Sequence, residues 1–176
     1  ILAHKDSIKD MGPEMNYELL IGLKPDVVLL YGIGDAQTAV TDKLKELSIP
    51  YMYVGEYLEE SPLGKAEWMI VLSELTDKRE KVIEIFQEIP QRYYALKALT
   101  DSVSQRPTVM FNTPWNDSWV MPSTQSYMAR LIADAGAEYI YKENSSNSST
   151  PIGLETAYGL IQKADYWINV GSATSL

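Results

Sequence analysis

A chain of 176 residues, 45% apolar and 22% charged, is long enough to bury a substantial core as one large domain or two small ones. Its formal net charge of −9 argues against nucleic acid, whose phosphates call for a Lys and Arg surplus on one face, and no such cluster occurs. The absence of cysteine excludes disulfides, thiolate metal sites and thiol catalysis, and no apolar run approaches the ~18–20 residues of a membrane span.

Residues 1–16 read as an irregular lead-in ending near Met11-Gly12-Pro13. The opening Ile1-Leu2-Ala3-His4-Lys5-Asp6 lacks the basic region and apolar stretch of a signal peptide, and a start without Met is expected of a processed or trimmed product. A short helix over Met15 to Leu23 stops before Pro25, and Val27 to Leu30 form a buried strand. Gly32 and Gly34 turn the chain, Asp35 caps a helix to about Leu47, and Tyr51 to Val54 make the next strand. This is a right-handed βαβ unit.

Leu63 to Leu75 form a helix with Trp68, Val71 and Leu72 at helical spacing. Asp77 is a candidate cap for a second, long helix over about 77–103, which at ~27 residues would span roughly 40 Å. Pro90 lies inside it and should kink it. A strand over Thr108 to Asn112 follows, then the loop Thr113 to Pro122. Ser123 caps a helix from Thr124 to Ala135 that Gly136 stops, and Glu138 to Tyr141 are a short strand. The Asn- and Ser-rich run 144–150 reads as a low-complexity, mobile loop. A helix from about Leu154 to Lys163 and a strand from Tyr166 to Val170 complete the pass. Ending straight after a strand would leave a sheet edge unpaired, so the chain is expected to be a fragment.

One segment occurs twice. Lys24-Pro25-Asp26, an apolar run and Gly32 return as Lys163-Ala164-Asp165, an apolar run and Gly171. Each copy is preceded by a short amphipathic stretch with a Glu near its start, Glu18 and Glu155. A helix ending at Lys-x-Asp and dropping into a buried strand is the αβ step of a parallel sheet. Finding it twice predicts an α/β chain with two small parallel-sheet lobes joined by a long backbone helix. The divisions expected are a first lobe over 1–61, connecting helices over 62–104 and a second lobe over 105–176.

Chemistry is sparse. His4 is the only histidine, so a metal site would need carboxylates alone, and these show no ligand spacing. No Gly-x-Ser-x-Gly occurs, Gly32-Ile33-Gly34 lacks the third glycine of a dinucleotide loop, and neither a resident metal nor a cofactor is expected. Twelve tyrosines and four tryptophans suggest a binding surface instead, although core packing would use them equally well. The loop 113–122 follows a strand's carboxyl end, where open parallel sheets hold ligands, and offers Asn112, Trp115, Asn116, Trp119 and Met121. The corresponding edge of the first lobe carries Tyr31 and Gly32, and the next strand delivers Glu56 and Tyr57. Two such edges facing each other would form an aromatic cleft for a bulky, partly apolar ligand. Scarce basic residues there disfavour a strongly anionic one.

The order of these motifs resembles the substrate-binding proteins of bacterial ABC importers of the siderophore, haem and vitamin B12 class. Four stretches carry the likeness: Asn16-Tyr17-Glu18 through Lys24-Pro25-Asp26-Val27-Val28, Pro62 to Trp68, Pro114-Trp115 through Ala135-Gly136-Ala137, and Ala164 to Asn169. The resemblance implies two α/β lobes on a rigid helix, with Pro90 a departure from the family pattern. It implies that Glu18 and Glu155, one per lobe, engage arginines of a membrane permease, and that the loops at Tyr31, Tyr57 and 115–121 line the ligand cleft. It further implies a non-enzymatic, monomeric protein of the periplasm or cell surface. That protein would capture a ferric siderophore, haem or cobalamin and touch the membrane only through the permease or a lipid anchor outside this chain. By the same likeness the chain lacks the start of the first lobe and the end of the second. An enzyme or cofactor-binding module on the same fold is the rival, and needs a catalytic constellation. A ligand-free sensor or scaffold is the other, and needs a filled cleft with its tryptophans packed inward.

Overall fold

The structure, a computed structural model, describes residues 9–11, 14–32, 37–146 and 148–171. Outside these residues lie His4, Gly12 and Pro13 of the lead-in, the Gly34 turn with its Asp35 cap, Asn147, and Ser175-Leu176. The chain divides into two compact units, Ile1–Gly55 and Glu56–Leu176, and each holds a small parallel sheet.

In the first unit, helix α1 (Tyr17–Leu23) begins at Asn16, whose side chain accepts the Leu19 N–H at 3.0 Å. It ends at Lys24, which takes the left-handed conformation (φ 48°) and returns its own N–H to the Ile21 carbonyl. Strand β1 (Val28–Tyr31), helix α2 (Gln37–Glu46) and strand β2 (Tyr51–Val54) form the expected βαβ unit. The two strands are parallel, with Val28 opposite Tyr51 and Tyr31 opposite Val54, so both carboxyl ends lie at one edge. Leu20, Leu30 and Leu44 are its buried core, with Val40 and Ile49 packed against them.

The second unit opens on a 3-10 turn (Glu56–Leu58). Helix α3 (Pro62–Glu74) starts at Ser61, whose hydroxyl accepts the Gly64 N–H, with Pro62 where its missing donor is harmless. Helix α4 (Arg79–Ala98) has 20 residues, about 30 Å at 1.5 Å per residue, and packs against α3. It is shorter at both ends than the expected 77–103. Asp77 adopts φ 52° and does not cap it, and Lys78 holds that position without a side-chain bond. The helix runs on through Pro90, which denies the Phe86 carbonyl its usual intrahelical donor.

Beyond α4 come strand β3 (Thr108–Phe111), strand β4 (Ser118–Met121) and helix α5 (Tyr127–Asp134). Strand β5 (Glu138–Tyr139), strand β6 (Thr150–Gly153), helix α6 (Leu154–Ile161) and strand β7 (Tyr166–Ile168) follow. The parallel sheet is ordered β5-β3-β7, with Val109 opposite both Tyr139 and Tyr166. Asp165 of the repeat ties β7 to β3, because its carboxylate accepts the Thr108 N–H at 2.7 Å and the Thr108 hydroxyl at 2.9 Å. Those two donors hold the Asp165 carboxyl below the usual carboxylate range.

Two expectations for this unit are corrected. The segment 113–122 is not all loop: β4 pairs antiparallel with β6, Ser118 opposite Gly153 through Met121 opposite Thr150. Helix α5 is capped by Ser126, whose hydroxyl accepts the Ala129 N–H, while Ser123 instead accepts the Gln125 N–H ahead of the helix. The Ser- and Asn-rich run is organised around a buried residue. The Asn144 amide donates to the Ser148 carbonyl at 2.8 Å and accepts from both the N–H and the hydroxyl of Ser146. The Ser123 hydroxyl donates to the Ser146 carbonyl, and the Asn144 carbonyl accepts the Thr124 N–H, so the run is fastened to the approach to α5.

Candidate functional site

At the carboxyl ends of β3 and β7 two asparagines leave the sheet in the left-handed conformation, Asn112 (φ 71°) and Asn169 (φ 56°). The side chains meet, Asn169 Nδ2 donating to Asn112 Oδ1 at 2.7 Å. The Asn112 amide also donates to the Val120 carbonyl, and its own carbonyl accepts the Trp167 indole N–H at 2.6 Å. Asn112 therefore braces the edge, with both ends of its amide engaged. Beyond it the chain reverses tightly at Asn116 (φ 52°), with Trp115 and Ser118 bonded across the turn. Trp115 stands at that turn with 73% of its surface exposed.

Strand alternation separates the two indoles that sequence reasoning placed together. Val120 faces outward, while Trp119 and Met121 face inward and are fully buried among Met110, Phe111 and Ile132. The Trp119 indole N–H donates to the Phe111 carbonyl at 2.9 Å. Trp119 and Met121 are core residues, and only Trp115 and Asn116 of the group are open to solvent.

The remaining expected site residues are spread over both units. Tyr31, half exposed, ends β1 and Gly32 follows it in the first unit, whereas Glu56 and Tyr57 form the 3-10 turn of the second. Glu18 and Glu155 occupy the first turns of α1 and α6, exposed, where the positive end of a helix dipole favours a carboxylate. Among the described residues, no group of three or more histidine and carboxylate side chains is arranged to hold a metal ion. No described helix is long and apolar enough to cross a membrane.

The second unit contains an open cavity of about 400 Å³ where the 3-10 turn and the start of α3 approach the start of α5. Tyr57 and Lys65 line it from the first pair of elements, Ser123, Ser126 and Tyr127 from the second, and Ser148 from the serine-rich run. That volume falls at the small end of the roughly 300–1,000 Å³ of ligand sites. Two carboxylates also face it, and both are committed elsewhere. Glu59 accepts the Trp68 indole N–H at 3.0 Å, and Glu60 pairs with Arg130 at 2.6 Å. Of these residues sequence reasoning singled out only Tyr57. The serines read as caps and low-complexity loop, and a lysine in a helix's first turn reads as ordinary surface.

The far end of α5 is anchored to α4. The Tyr93 hydroxyl donates to Asp134 Oδ2 at 2.6 Å, and the Lys97 ammonium reaches Asp134 Oδ1 at 2.5 Å. The Thr100 hydroxyl donates to the Asp134 carbonyl at 3.0 Å. Burial pushes the Asp134 carboxyl up, but hydrogen bonds from Lys97 and Tyr93 outweigh it and hold the group below its ordinary 3.8. A carboxyl lowered on folding stabilises fully above its ordinary value, and that stability is lost as pH falls through the lowered one. Asp134→Asn should therefore weaken the unit at neutral pH and flatten its decline below about pH 4. Urea midpoints measured from neutral to acid pH will show whether the two curves converge.

The fold class is α/β, built on small parallel sheets. A family model described as periplasmic binding protein matches residues 9–175, and the chain belongs to that family. An uncharacterized lipoprotein of Methanocaldococcus jannaschii is 28% identical over 163 residues, 91% of this chain and 38% of the relative. Among solved structures, the Fe3+-Desferal-bound siderophore-binding protein FhuD from Vibrio cholerae superposes with a TM-score of 0.62 at 17% identity, covering 88% of this chain and 59% of that one. The periplasmic vitamin B12-binding protein BtuF of Vibrio cholerae gives 0.61 at 15% identity, covering 84% and 55%. At such identities the likeness is one of fold. The chain spans about two fifths of the curated relative's length and little more than half of these solved chains.

Proposed function

We propose that the chain belongs to the substrate-binding component of an ABC-type importer. In this reading it captures a bulky metal chelate or corrinoid (a ferric siderophore, haem or cobalamin) outside the inner membrane and delivers it to a permease. It does so without catalysis, in an exported or surface-held protein, with Glu18 and Glu155 as the docking carboxylates. The observation that carries the reading is the open, hydroxyl-lined cavity beside α5, in a chain of the periplasmic binding protein family. At about 400 Å³ that cavity takes only a portion of a large chelate, such as a pendant arm or one edge of a macrocycle. The inward packing of Trp119 suits a ligand-free scaffold at that one edge, but the cavity is open and polar.

Trp68 supplies the test, because its indole N–H rests on Glu59, which faces the cavity. Titration with Fe3+-Desferal, haemin and cyanocobalamin is expected to give saturable quenching by at least one of them. Trp68→Phe should remove most of that signal while calorimetry still records binding. If none of the three binds by either method, the capture reading fails.

A further inference from the structure

Among the described residues, Lys65 is the one cationic side chain lining the cavity. Its ammonium lies 5.1 Å from the centroid of the Tyr127 ring and makes no ion pair among the described residues. Neither nearby carboxylate pairs with it among the described residues: Glu60 is neutralised by Arg130, and Glu59 accepts the Trp68 indole N–H. Glu59 Oε1 accepts from Trp68, and Oε2 lies so close over the first turn of α3 that a β-carbon at Gly64 would come within 3.0 Å of it. Gly64 thus leaves room for the Glu59 carboxylate against the first turn of α3. A cation on an aromatic face at an exposed site is held only weakly, which leaves its donors available. Ser126 and Tyr127 line the same cavity, so an oxygen-rich group entering it would meet the lysine's positive charge beside neutral hydrogen-bonding side chains, with the Glu59 carboxylate engaged by Trp68.

Resting on the capture reading above, we infer that Lys65 is a specificity-determining residue. It favours ligands that present a single anionic oxygen group, of the carboxylate class, to this cavity. A single cation beside the Ser126 and Tyr127 hydroxyls suits a monoanion. A polyanion would require the guanidinium forks that the lining lacks. A cationic arm would meet like charge.

The test compares matched pairs that differ only in that group: ferric N-succinyl against N-acetyl desferrioxamine, haemin monomethyl ester against its dimethyl ester, and a cobalamin monocarboxylic acid against cyanocobalamin. For any core that binds, the carboxylate form should bind about tenfold more tightly to the wild-type chain, the scale of one charge-assisted contact. Lys65→Met, which keeps the stem over Tyr127, should bring the ratio close to one, and Lys65→Arg should preserve it. Far-UV circular dichroism of each variant verifies the fold. A core that binds with no preference for its carboxylate form, or with a preference that survives Lys65→Met, overturns this inference and leaves capture standing. Failure of all three cores to bind the wild-type chain overturns both.

Discussion

Trp119→Ala should destabilise the second unit by about 3–5 kcal/mol, the range for removing a large aromatic from a packed core. The side chain is fully buried, and its ring centroid lies 5.6 Å from that of Trp167. Its loss removes van der Waals contact with Met110 and Met121, both also fully buried, and leaves the Phe111 carbonyl without the indole donor. Against a typical total of about 5–15 kcal/mol, that is a large share of the stability. Trp115→Ala is the contrast: at 73% exposure its effect should stay within about 0.5 kcal/mol. Urea unfolding followed by circular dichroism will separate the two. Equal losses would mean that the alternation of β4 is wrongly placed.

Gly136→Ala should cost about 2–4 kcal/mol for two separate reasons. Gly136 holds φ 79°, a conformation that charges an L side chain roughly 1–2 kcal/mol. The added carbon would also lie 2.8 Å from Thr100 Cβ, a contact that cannot persist without movement of α5 against the end of α4. A Thr100→Gly background should relieve the steric part and leave only the left-handed strain, roughly 1–2 kcal/mol. Thermal melts of the four chains form a double-mutant cycle, and strict additivity would exclude the clash.

The repeat was the clearest sign of the fold, and its Asp165 shows why. An Asp just before a parallel strand can hold the first residue of its neighbour, so the motif marks a junction with its own hydrogen-bonding logic. The antiparallel ribbon was harder to see. Ser118-Trp119-Val120-Met121 has the period of a half-buried strand, but its partner Thr150–Gly153 comes some thirty residues later, with a helix between them. No local turn advertises such a pairing. The same difficulty hid most of the cavity: Tyr57, Lys65, Ser126 and Ser148 come from four segments that fold together only in three dimensions. Tyr57 alone was visible, through its place after a strand. Helix ends at 77–79 and 98–103 went astray because Asp77 has the composition of a cap, whereas its φ of 52° places it outside the helix.

The sheet order β5-β3-β7 bears on how this unit is made. Its central strand emerges early in synthesis but gains one flank only when Tyr166–Ile168 appears, with bonds from Thr108 to Asp165 spanning 57 positions. Until then β3 has an open edge, and Met110 and Trp119 have an incomplete covering. Closing so long a loop is slow, and an exposed strand edge in the interval is a target for association with other chains. A ribosome-stalled series ending before and after β7 should therefore switch abruptly from protease-sensitive to protease-resistant at that strand, making this αβ step the event that closes the sheet around β3.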